Sequence, residues 1–114
     1  MSREGYRLAN RLGENMKPLY YILDENHNVV VEPDVHKWAK QFEDIGARIV
    51  KKTNLADCQV STVFLAIDHS FLDDQQPVLF ETMVFGGEYD GEQFRYHTWD
   101  EAVEGHKKTV EKCK

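Results

Sequence analysis

The sequence predicts a small α+β domain, an antiparallel β-sheet made of an N-terminal hairpin and a meander and packed by two amphipathic helices. Three observations predict it. Short β-prone runs recur with turn residues between them, two segments carry apolar residues at helical spacing, and 114 residues at 41% hydrophobic and 30% charged suit one domain with one modest core.

Residues 1–15 differ from the rest. MSREGYRLANRLGEN sustains neither a strand nor a helix period and reads as an N-terminal arm. Gly13-Glu14-Asn15-Met16 is what translation of a purine-rich ribosome-binding sequence and a start codon yields, which places the native start, and the domain of residues 16–114, at Met16. From Pro18 to Val31, LYYIL and VVV flank DENHN, a hairpin whose turn residues Asp24, Asn26 and Asn28 favour local side-chain to backbone bonds, with His27 solvated at the tip. Pro33-Asp34 then opens a helix. Val35, Trp38, Ala39, Phe42 and Ile45 form its buried stripe, His36 falls on its polar side, and Gly46 stops it as a C′ residue.

Arg48 to Lys52 reads as a short strand and Asn54 to Cys58 as a turn. Gln59 to Ile67 is the longest β-type run, apolar on both faces, which suits the middle of a sheet or an interface. Val78 to Phe85 follows a short loop and should pair with it as an antiparallel neighbour. Gly86-Gly87 and EYDGEQ turn the chain into a last strand, FRYHT. Thr98-Trp99-Asp100-Glu101 has the form of a capping box, and the helix it opens sets Trp99, Ala102, Val103, His106, Val110 and Cys113 on one face.

Charge and cysteines narrow the function classes. A net charge of −6 and a pI near 5.3 argue against a nonspecific nucleic-acid grip, which needs clustered Lys and Arg. Cys58 and Cys113 lie 55 positions apart, show no metal-ligand spacing and are poor nucleophile candidates, so a reduced, cytoplasmic protein is the simplest inference. No apolar run reaches the ~20 residues of a membrane helix.

The candidate site is a set of polar groups where a plain core would have aliphatics. A register with His69 opposite Val78 sets Ala66 against Glu81, so that Asp68 and Glu81 share one face; a slip of one residue separates them. If His106 covers that face, three titratable groups converge, with His69 and His97 able to join them. The plain reading is a core histidine bonded to Asp68 or Glu81. A divalent metal on Asp68, Glu81 and His106, an acid/base pair and a small-ligand pocket are the alternatives, although no HxH, HxxxH or HxxE spacing supports the metal. No GxSxG, GxxxxGK[ST] or GxGxxG string occurs, no cofactor is implied, and Tyr89, Phe94 and Tyr96 are either a contact surface or cross-strand filling.

At VSTVFLAIDHSF, LFETMVFGG and YHTWDEAVEGH the chain resembles a widespread group of small uncharacterised proteins of bacteriophages and prophages. Their pattern is W-x-x-x-F on a helix, here Trp38 and Phe42, then STVFLG-x-DH, ETMVFGG and Y-x-TW-x-EA-x-x-GH, with Ala66 standing where glycine is usual. The match runs from about Leu19 to His106. It implies a phage origin, the cytoplasm of a bacterial host, and no catalytic residues. The leading expectation is a noncatalytic binding module that engages a host or phage macromolecule and self-associates. The alternatives are a metal-dependent or acid/base hydrolase using Asp68, His69, Glu81 and His106, and a protein that sequesters a small ligand.

Overall fold

A computed structural model describes residues 18–70 and 76–114. The arm at 1–15 and the start at Met16 lie outside them. The element order is β1 (Tyr21–Leu23), β2 (Val29–Val31), α1 (Val35–Glu43), α2 (Ile45–Arg48), β3 (Ile49–Asn54), β4 (Gln59–Phe64), β5 (Phe80–Phe85), β6 (Gln93–Tyr96) and α3 (Trp99–Cys113). β1 and β2 form an antiparallel hairpin, and β3-β4-β5-β6 is an antiparallel meander. The α+β architecture is therefore the expected one. Among the described residues no helix is long and apolar enough to cross a membrane.

Alternation along the strands decides which face α3 covers. Val60, Thr62 and Phe64 of β4 and Phe80, Thr82 and Val84 of β5 are buried, with Ser61, Val63, Glu81 and Met83 between them on the helix-free face. Phe64 and Phe80, both fully buried and 5.2 Å apart, centre a core completed by Tyr21, Leu23, Leu79 and Ala102. Rings of this size contribute about 2 kcal/mol each by burial. Thr98 caps α3 as the sequence implies, accepting from Glu101 N–H at 3.1 Å, while the Glu101 carboxylate reaches one residue further back than a capping box and accepts from His97 N–H at 2.9 Å.

Two expectations are corrected. The long run Gln59 to Ile67 is not one strand. At Ala66, where φ is +69°, the chain leaves the meander: Ala66 O accepts from Tyr21 N–H at 2.9 Å, and Asp68 N–H donates to Leu19 O. The four-stranded sheet thus hands over to the hairpin along one continuous stretch.

The first helix is also shorter and shallower than its apolar stripe suggests. Asp44 ends α1 and caps α2 by accepting from Ala47 N–H, so Gly46 lies inside α2 rather than stopping α1. Ile45 is 68% exposed and no residue of α1 is fully buried; Trp38 and Phe42, stacked 4.6 Å apart, pack at the core margin. His27 is exposed at the hairpin tip, as expected. Its ring stacks on Trp99 at 3.8 Å, tying the hairpin tip to the start of α3.

Candidate functional site

His106 is the centre of the polar interior. One turn after Ala102, it points from α3 onto the even-numbered residues of β4 and β5, and it is 4% exposed. Its Nδ1 lies 2.7 Å from Thr62 Oγ1 and its Nε2 2.8 Å from Thr53 Oγ1 of β3. Thr62 Oγ1 is 2.5 Å from Thr82 Oγ1, which accepts from the Tyr96 hydroxyl at 3.1 Å. Neither Asp68 nor Glu81 bonds this histidine; Thr53 and Thr62, on two adjacent strands, take their place, and Thr82 of a third strand bonds Thr62 behind them.

With Tyr96 as donor, one proton direction uses every fully buried hydroxyl. Tyr96 donates to Thr82, Thr82 to Thr62, Thr62 to Nδ1, and the Nε2 proton goes to Thr53. The ring is neutral in this arrangement. Burial, and then the charge of Lys51, hold its pKa below the usual histidine value. Tyr96 reaches Thr82 because Gly105 leaves room: a Cβ there would overlap the Tyr96 hydroxyl and ring.

The other candidates do not join it. Phe64 pairs with Phe80 and Val63 with Glu81, three positions away from the register that aligns Asp68 with Glu81. An odd shift reverses the face. His69 N–H does donate to Val78 O at 2.9 Å, as expected, and the difference arises in the three residues Ala66 to Asp68 that turn toward the hairpin. Glu81 consequently lies on the helix-free face, paired with Arg95 at 3.0 Å.

Asp68 serves the loop it precedes. Its Oδ1 accepts from Ser70 N–H at 2.8 Å and Val78 N–H at 3.0 Å. His69 donates from Nδ1 to Ile67 O at 2.8 Å, and His97 donates from Nδ1 to Pro77 O at 2.9 Å. The partners of Asp68, His69, Glu81 and His106 thus differ, and among the described residues no group of three His, Cys, Asp or Glu side chains is placed to hold a metal ion. The three aromatics of the last hairpin also divide. Tyr96 enters the buried network, while Tyr89 and Phe94 sit under the Lys112 ammonium at 4.5 and 5.6 Å.

The surface offers a different candidate, which the hydrophobic pattern alone concealed. Of the eight large apolar side chains that are strongly exposed among the described residues, five cluster on and beside the hairpin: Leu19, Tyr20, Val30, Val31 and Val35, each between 37% and 48% exposed. The two edges of this hairpin are treated differently. On the β1 side, Tyr21 N–H is taken by Ala66 O, and the Gln41 amide of α1 satisfies Leu23 completely, accepting from its N–H at 2.8 Å and donating to its carbonyl at 2.9 Å. On the β2 side, Val30 and its register neighbours face β1, so alternation turns the N–H and C=O of Val29 and Val31 outward.

β2 is short, three residues, but has no charged side chain or proline within it. It is Val-Val-Val, whereas the edge strand β3 carries Lys51 and Lys52, and the edge strand β6 carries Arg95. A second surface feature is an open groove of about 560 Å³ between β6 and α3, lined by residues including Phe94, Tyr96, Glu104, Lys108 and Lys112. No family model, no curated protein and no solved structure matches this chain.

Proposed function

We propose that this chain is a phage accessory protein that works by binding rather than by turnover, and that it takes a polypeptide partner by adding a strand to the outer edge of β2. The simplest partner is a second copy of the chain, since two identical edges pair about a two-fold axis. The observation that carries the reading is the Val29–Val31 edge, uncovered among the described residues and set among exposed apolar side chains, beside a β1 edge where the fold takes up the Tyr21 N–H and both backbone groups of Leu23. Main-chain bonds would supply the pairing, and burial of Val30, Val31 and Tyr20 would supply the hydrophobic gain.

The phage reading draws its support from where the recurring strings fall. Ala66, where the resembled group has glycine, sits at a φ of +69°, a backbone region that favours glycine. Gly86 and Gly87 also have positive φ, Gly105 makes way for Tyr96, and His106 completes the threonine network. Those strings thus fall on positions this fold needs, and the surface that would bind a partner lies largely outside them.

The test is sedimentation velocity over micromolar concentrations, with hydrogen exchange at Val29 and Val31. Association that rises with concentration, protects both amides and disappears in Val31→Lys without a change in melting temperature is the expected result. A monomer throughout, with both amides exchanging freely, refutes self-association at this edge.

A further inference from the structure

The two cysteines, remote in sequence, are brought to the same corner of the fold. Steps along α3 and β4 run together: His106 lies over Thr62, and one heptad further along the same helix face is Cys113, while two alternations back along the same sheet face is Cys58. Seven residues of helix and four of strand cover similar distances, about 10 and 13 Å.

Independent contacts place the two ends against each other. Cys58 packs on the Gly86-Gly87 turn so closely that a Cβ on Gly87 would lie 3.2 Å from the Cys58 Cβ. The loop that follows this turn holds the last turn of α3. Lys112 bonds Glu92 at 2.6 Å and lies over Tyr89. Both cysteines are free thiols and half-buried.

We infer that Cys58 and Cys113 form a thiol pair that a low-molecular-weight disulfide of the glutathione type oxidises to an intramolecular disulfide, pinning the C-terminal end of α3 to the turn before β4. The chemistry balances in two exchanges. The Cys58 thiolate attacks one sulfur of glutathione disulfide and expels one glutathione, which takes up the proton. Cys113, deprotonated in the second exchange, attacks the Cys58 sulfur and expels the other. Two protein thiols are oxidised, and one glutathione disulfide is reduced to two thiols.

The surroundings suit a pair that reacts as a unit. Burial, followed by the proximity of Cys58 and a hydrogen bond with it, raises the pKa of the Cys113 thiol. The fold thus favours the protonated form of Cys113, which suits that thiol to the second exchange. Because it is the last residue of α3, small adjustments of the helix terminus can bring the sulfurs to bonding geometry.

The experiment is a redox titration of the full chain against glutathione disulfide and glutathione, followed by alkylation of the remaining thiols and intact mass. The expected result is loss of both thiols in one two-electron transition, with no retained glutathione and no intermolecular dimer. The oxidised form should also melt higher by roughly 10 °C, since the bridge closes a long loop. Cys58→Ser and Cys113→Ser should each stop at a mixed disulfide or remain reduced. Independent glutathionylation of both cysteines in the wild-type chain, or disulfides only between chains, overturns the inference.

Discussion

Replacing His106 by alanine tests the buried network directly. The substitution removes the acceptor of the Thr62 hydroxyl, which is fully buried and already committed to Thr82 on its other side. Leaving such a donor unpaired costs about 1–3 kcal/mol. The void adds about 1 kcal/mol, taking an imidazole as roughly 50 Å³ at about 24 cal/mol per Å³. Thr53, only half-buried, can turn to water. The total is about 3 kcal/mol, a large part of the stability of a domain this size.

The same residue sets a pH dependence. His106 has a folded pKa below its unfolded value of 6.5, so its neutral form is the one the fold favours. Its contribution is therefore complete above about pH 6.5 and is lost as pH falls from there toward the folded value, at no more than about 1.4 kcal/mol per pH unit. Urea unfolding followed by circular dichroism at pH 7.5 and at pH 5.5 measures both effects. His106→Ala should be less stable at pH 7.5 and should lose less on acidification than the wild type, while exposed His36→Ala should match the wild type at both. A loss below about 1 kcal/mol for His106→Ala, together with an unchanged pH profile, refutes the network as a source of stability.

Two further substitutions probe backbone positions. Gly105→Ala should destabilise by about 1–3 kcal/mol, because the new Cβ displaces Tyr96 and outweighs the better helix propensity of alanine. In a Tyr96→Ala background the same change should turn stabilising, and a double-mutant cycle that shows no coupling refutes the contact. Ala66→Gly should fall within about 0.5 kcal/mol of neutral, because relief of a left-handed alanine offsets the lost methyl. Ala102→Gly, in the buried face of α3, should cost more than about 1 kcal/mol by the same melting assay.

The α3 helix shows how far a sequence reaches. Its cap at Thr98 and the inward face through Ala102 and His106 follow from spacing alone, because capping and helical periodicity are local. Alternation likewise places Val60, Thr62 and Phe64 on one face without any knowledge of the partner strand. The partners are another matter. Asp68 and Glu81 were separated by three residues at Ala66, where the chain serves two sheets in turn, and no periodicity reports which carbonyl a distant hairpin will use.

Amphipathic spacing likewise marked Val35 and Ile45 as core, yet α1 lies at the margin, where its neighbours cover only part of the stripe. Composition, charge and element types thus belong to the sequence by itself, because they depend on neighbours a few residues apart. The threonine partners of His106, the meeting of Cys58 with Cys113 and the edge of β2 left uncovered among the described residues were decided only in three dimensions, because each depends on how distant parts of the chain pack.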